Sequence, residues 1–120
     1  MNRPSKEEYL LEIARVVAKR STCPDAQVGC VVATEEGYIL ATGYNGSPRG
    51  WQHCLEMANG KCFDNGLEHK VVHAEANCVA MAARQGICLN GATAYVTHEP
   101  CLKCEMLLTQ AGILKIVSIK

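Results

Sequence analysis

Apolar and polar positions along this chain follow two different periods, and the switches between them lay out its elements. Residues 5–20 place Tyr9, Leu10, Ile13, Val16 and Val17 on one stripe at helical spacing. Ser5, with Glu8 three positions later, has the pattern of a capping box, so a helix is predicted over 5–20. Residues 28–34 are a β-branched run that reads as a strand, and Glu35-Glu36-Gly37 turns the chain into a second strand over 38–42. Residues 74–85 are rich in Ala and read as a helix, with Gly86 placed to end it. A strand over 92–98, a helix over 101–111 closed by Gly112 and a strand over 113–119 complete the order α-β-β-α-β-α-β. Alternation in the second half requires at least one parallel strand pair, with helices covering the sheet: an α/β fold.

Residues 43–72 interrupt this pattern. They contain no convincing element, and the stretch is long for an ordinary connection. Such a segment is functional, stapled or disordered. Its turn-formers, Gly43-Tyr44-Asn45-Gly46-Ser47-Pro48-Arg49-Gly50, argue against disorder, as do the metal-capable His53, Cys54, Cys62 and His69. The segment reads as an active-site loop pinned by a metal.

Composition narrows the classes. A chain of 120 residues is one domain, 1–120, with a modest core. Lys+Arg and Asp+Glu both number 12, so no basic excess recommends a nucleic-acid polymer as partner. The first twenty residues are charged and amphipathic, unlike a signal peptide, and no apolar run approaches the roughly 18 residues of a membrane span. A soluble cytoplasmic protein is expected, with no membrane partner. In a reducing compartment the eight cysteines point to metal rather than to disulfides. Cys30, Cys78 and Cys88 lie in apolar surroundings and are expected to be small core residues. The other five are ligand candidates.

The strongest chemistry lies in His73-Ala74-Glu75, answered 25 residues later by Pro100-Cys101-Leu102-Lys103-Cys104. One His and two Cys supply the three protein ligands of a catalytic zinc, which keeps a fourth position for water. Glu75 is left over as the acid/base. Cys101 and Cys104 stand three apart and share a face of one helical turn, Pro100 suits the entry to that helix, and the helix N-terminus favours thiolates. His73 and Glu75 diverge on a regular helix, so they converge only if His73 occupies the extended cap position. The competing reading is a structural zinc closed by four protein ligands, with Glu75 the fourth.

H-x-E followed by P-C-x-x-C is an established signature of zinc-dependent nucleobase deaminases. Over residues 20–115 the chain resembles the deoxycytidylate (dCMP) deaminase family of the cytidine deaminase superfamily. The resemblance rests on Arg20-Ser21-Thr22-Cys23-Pro24 with Val28-Gly29, Gly43-Tyr44-Asn45-Gly46, His73-Ala74-Glu75-Ala76-Asn77, Pro100-Cys101-x-x-Cys104 and Gln110-Ala111-Gly112-Ile113. It implies the cytidine-deaminase-like three-layer α/β/α fold with a mixed sheet. Two features depart from the family: Glu99 gives a Glu-Pro-Cys more like that of tRNA adenosine deaminases, and most relatives continue beyond the last strand.

Roles follow from the ligand set and the resemblance together. Zinc on His73, Cys101 and Cys104 makes hydroxide available, and Glu75 carries protons to ring N3 and to the departing ammonia. The resemblance implies that Asn45 holds the sugar and that the Ala74 N–H reads the pyrimidine O2. The alternative is an Asn chosen for its turn. Arg49 is a phosphate candidate or an ordinary solvated Arg; Arg84 has an interface, phosphate or helix-dipole role. Cys23, Cys54, Cys62 and His69 form a candidate second, structural zinc site with His53 in reserve, or else are free thiols. Trp51 and Tyr44 stack on a nucleotide or form a small core of the loop. By resemblance the protein is a homo-oligomer, a hexamer, regulated by dCTP and dTTP with Mg2+ on the triphosphate. Gly43, Tyr44 and Gly46 then belong to the regulatory region. The alternatives are a related deaminase acting on dCTP, cytidine or tRNA adenosine, and a non-catalytic nucleotide-sensing zinc module.

Overall fold

The computed structural model of the chain describes residues 2–23, 26–51 and 71–119. His53, Cys54, Cys62 and His69 therefore lie outside the described residues.

Elements follow the order that the hydrophobic pattern predicts: α1 (Lys6–Ala18), β1 (Gly29–Ala33), β2 (Ile39–Tyr44), α2 (Ala74–Gln85), β3 (Thr93–Val96), α3 (Leu102–Gln110) and β4 (Lys115–Ser118). The sheet order is β2-β1-β3-β4. β1 is antiparallel to both of its neighbours, whereas β3 and β4, joined through α3, are parallel. β1 is buried at every position because helices cover both faces of the sheet. Its residues sort by the two-residue strand period. Cys30 and Val32, with Ala94 and Val96 of β3, pack on Ala74, Cys78 and Ala82 of α2 and Leu108 of α3. Val31, Ala33 and Tyr95 pack on Leu10 and Ala14 of α1. The result is three layers, α1 on one face and α2 with α3 on the other.

Two glycines set how closely the helices approach. A Cβ on Gly29 would overlap the Ala14 carbonyl oxygen and the Ala18 amide nitrogen. This contact explains why the buried stripe of α1 is Leu10, Ala14 and Ala18, while Tyr9 and Val16 of the predicted stripe are exposed. Where helix backbone rests directly on the strand, only small side chains fit. On the opposite face, a Cβ on Gly43 would overlap the Ala74 carbonyl oxygen and the Cys78 amide nitrogen. Gly43 and Tyr44 thus belong to β2, paired with Cys30 and Gly29, and not to the turn-rich loop that their types suggest.

Further placements concern the cysteines and the ends of elements. Gly86 ends α2 in the left-handed region (φ 68°), as its position in the sequence predicts. Cys30 and Cys78 are fully buried, but Cys88 is exposed, correcting its expected place in the core. It lies after Gly86 between Ile87 and Leu89, the two side chains that pack on the core. Residues 46 and 72 meet in an antiparallel bridge, Val72 N–H donating to the Gly46 carbonyl (2.8 Å) and Gly46 N–H to the Val72 carbonyl (3.2 Å). That bridge draws the two ends of the long segment together immediately before His73.

Candidate metal centre and active site

Two helix starts meet at the site. His73 is the N-cap of α2, extended at φ −66° and ψ 154°, which is the conformation its convergence with Glu75 requires. Cys101 is the N-cap of α3 at φ −69° and ψ 166°. Neither uses its side chain to cap its own helix. Instead the two face each other: His73 Nδ1 lies 3.3 Å from Cys104 Sγ and 3.7 Å from Cys101 Sγ. Ligand atoms of all three residues fall within 4.8 Å of one another. Zn–N bonds of about 2.0–2.1 Å and Zn–S bonds of about 2.3 Å set at tetrahedral angles give N···S edges of about 3.6 Å. The two N···S edges of the donor triangle therefore lie close to the size that zinc demands.

Asn77, in the first turn of α2, fixes this geometry. Its side-chain Nδ2 donates to the Tyr44 carbonyl (2.8 Å) and to the Val72 carbonyl (3.4 Å). It ties the end of β2 to the residue preceding His73. In the sequence Asn77 reads only as a family mark; its contacts join residues 33 and 5 positions apart, which no local pattern shows.

Glu75 occupies the second position of α2 and is 4% exposed. Burial raises its carboxyl pKa above the ordinary value, with its own backbone N–H and then His73 and His98 opposing the shift. Raising a carboxyl is the direction that suits proton transfer at neutral pH. Burial also pushes the Cys104 thiol up to about 12, and Glu75 and Cys101 add to the effect. A Cys104 thiol so raised releases its proton readily only where a cation compensates the thiolate. The donor set thus fits a divalent metal, and zinc in particular by its softness.

A cavity of about 300 Å³ opens onto His73, Ala74, Glu75 and Cys101. That is the lower end of the range for small-ligand sites. Ala74 is fully buried and heads α2, so its N–H has no partner within the helix. Asn45 also lines the cavity and is buried. Its Oδ1 accepts from Val28 N–H (2.9 Å) and its Nδ2 donates to the Ala26 carbonyl (2.8 Å), so the amide braces one wall. Cys23 lines the cavity and packs against Val71. Arg49 and Arg84 are exposed, and neither lines this cavity. Trp51 is 57% exposed. Tyr44 gives its carbonyl to Asn77, and a Cβ on Gly46 would press on Thr22 Oγ1. His98 and Glu99 complete the lining; no role for His98 is legible from its neighbours in sequence.

Residues 4–120 match the family model described as the cytidine and deoxycytidylate deaminase zinc-binding region. The chain belongs to this family of zinc-binding deaminases. Within it, the chain is 39% identical over 126 residues to the deoxycytidylate deaminase of Mycobacterium phage D29, covering 98% of this chain and 96% of that protein. It is 38% identical over 121 residues to the deoxycytidylate deaminase of Schizosaccharomyces pombe, covering 96% of this chain and 37% of that protein. The chain likewise spans 58% of ComE operon protein 2 of Bacillus subtilis, so it is well short of several curated relatives. Among solved structures it is similar to the dCMP deaminase of cyanophage S-TIM5, in complex with dCMP and dUMP. That match has a TM-score of 0.81 at 30% identity and covers 98% of this chain and 83% of that one. The tRNA:A34 deaminase, at 23% identity and a TM-score of 0.61, shares the fold alone.

Proposed function

We propose that this chain hydrolyses dCMP to dUMP and ammonia. The observation that carries the reading is the His73–Cys101–Cys104 cluster, of which His73 and Cys101 line one cavity with the buried Glu75. Full-length similarity to a phage deoxycytidylate deaminase and to a structure holding dCMP and dUMP supports the choice of nucleotide.

Zinc held by His73 Nδ1 and the two sulfurs supplies, when bound, a water acidic enough to attack near neutral pH. Glu75 takes up the proton of that water at its carboxylate. It passes that proton to N3 of the pyrimidine, then takes the proton of the new C4 hydroxyl and delivers it to the leaving amino group, so that water and dCMP become dUMP and ammonia. In this reading Ala74 N–H donates to the pyrimidine O2 and the wall braced by Asn45 receives the sugar, both residues bordering the cavity. Arg49 reaches the phosphate from outside the cavity. A substrate panel tests the reading: ammonia release is expected to be fastest from dCMP. Activity on dCTP, cytidine or adenosine with none on dCMP contradicts it.

Three finer features belong to the same proposal. Cys23 with Cys54, Cys62 and His69 holds a second, structural zinc; the packing of Cys23 on Val71, two residues beyond His69, supports this. Metal analysis is expected to give two zincs per chain. Homo-oligomer assembly, as a hexamer, and control by dCTP and dTTP with Mg2+ rest on the family resemblance. With two thiolate ligands to keep reduced, the protein works in the cytoplasm.

A further inference from the structure

One wall of the cavity has no part in the roles above. His98 follows β3, is half-buried, and lines the cavity beside Glu75 and Cys101. Its ring is held from behind. Nδ1 lies 3.1 Å from Thr97 Oγ1, and the Gly29 N–H donates to that same oxygen across 3.1 Å. Thr97 is 7% exposed, and its own N–H returns to the Gly29 carbonyl at 3.0 Å. The hydroxyl is therefore fixed to β1, the most buried strand of the sheet. On its far side His98 borders a second cavity with Arg15, Lys19 and Gln27, so the ring is a partition between two open spaces.

Resting on the deaminase reading, we propose that His98 is a substrate-positioning residue. In this arrangement the Thr97 hydroxyl, which accepts from Gly29 N–H, donates its own proton to His98 Nδ1. That choice puts the ring proton of His98 on Nε2. Nε2–H then donates to an oxygen acceptor of the bound nucleotide. The arrangement costs little on binding, because ring orientation and tautomer are both set before the nucleotide arrives. Thr97 is a positioning residue at one remove. Its Oγ1 lies between a strand amide and the imidazole, and does not line the substrate cavity.

The test combines kinetics with ring-nitrogen NMR on zinc-loaded protein. Ammonia release from dCMP by the unsubstituted chain is measured first. Its absence with every nucleotide overturns the deaminase reading and the substrate contact with it. In an active protein, His98→Leu is expected to lower kcat/KM for dCMP about 10-fold, the worth of one hydrogen bond, at unchanged zinc content. His98→Gln keeps a donor and is expected to recover to within about threefold. The NMR spectrum is expected to show His98 protonated at Nε2 and to shift that resonance on addition of dUMP. Thr97→Val is expected to lose the Nε2–H preference and Thr97→Ser to keep it. Should Thr97→Val fail to fold, the half-buried His98 variants and the spectrum of the unsubstituted chain still decide the matter. An Nδ1–H tautomer, an unmoved resonance with dUMP, or a His98→Leu variant with normal kcat/KM each overturns the proposal.

Discussion

Glu8 and Glu75 both sit in the first turn of a helix, and their surroundings send them in opposite directions. Glu8 faces water, and its carboxylate accepts from the Ser5 backbone N–H (3.0 Å) while its own N–H donates to Ser5 Oγ (3.1 Å). The Ser5 backbone N–H, and after it the Ser5 hydroxyl, hold the Glu8 pKa below the ordinary value. Glu75 is buried, and the residue at the cap of its helix spends its side chain elsewhere; its pKa rises. Since both carboxyls share the favourable end of a helix dipole, the dipole does not decide. Solvent and the cap do. At α1 the cap stabilises the helix; at α2 and α3 the cap residues, His73 and Cys101, turn their side chains toward each other. A helix start can serve stability or chemistry, and this chain uses both kinds.

The largest effect expected from breaking that contrast comes from the two turned caps. His73→Ala or Cys101→Ser is expected to lose the catalytic zinc and reduce ammonia release from dCMP to background, measured by metal analysis and a turnover assay. Retention of that zinc at normal rate would show that the helix starts do not hold it. Next in size, Glu75→Gln preserves shape but cannot carry a proton. It is expected to retain zinc and nucleotide binding and turn over at least ~100-fold more slowly. Near-normal turnover removes Glu75 from the mechanism.

Gly43→Ala attacks the seat of α2 rather than its chemistry. The added methyl meets backbone at Ala74 and Cys78, which no rotamer change relieves. A loss of about 1–3 kcal/mol in denaturant unfolding is expected, with activity falling as Ala74 and its neighbour Glu75 shift. An unchanged midpoint would mean that α2 does not press on β2 as described.

The smallest effects are in the pH dependence of zinc-stripped protein. Glu75 is raised in the fold, so its contribution is present at low pH and lost as pH rises through its folded value. Cys104 behaves likewise at alkaline pH: its contribution is present below 9.0 and lost as pH rises through about 12. Glu8 is lowered, so its contribution is present above the ordinary carboxylate value and lost as pH falls through its folded one. Ser5→Ala removes the hydroxyl but keeps the backbone N–H that bonds Glu8, so it is expected to weaken that acid-side dependence, cost about 1 kcal/mol and leave ammonia release unchanged. Denaturant unfolding across pH checks all three. A Ser5→Ala profile that coincides with that of the parent chain would contradict the capping account.

Local chemistry is what the sequence makes legible. The Ser5–Glu8 box, the Gly86 stop and the requirement that His73 be extended all follow from residues within one turn of each other, and the structure has each of them. Contacts across the fold are not written locally. Gly43 reads as a turn-former until α2 is seen lying on it, and Ala14 and Ala18 read as gaps in a stripe until Gly29 is seen beneath them. Cys88 resembles Cys30 and Cys78 in composition of its surroundings, yet a left-handed Gly86 two residues earlier leaves it in solvent. Asn77 and Thr97 bond to strands far away in sequence, so their roles emerge only with the sheet assembled.

The most direct measurement is zinc-edge X-ray absorption on protein carrying only the catalytic zinc, prepared without nucleotide. Two sulfurs at about 2.3 Å, one imidazole nitrogen at about 2.0 Å and one further light atom exchangeable with solvent are the predicted shell. A shell closed by a carboxylate oxygen that Glu75→Gln abolishes, or one with four sulfurs, would contradict a site built to keep one position open.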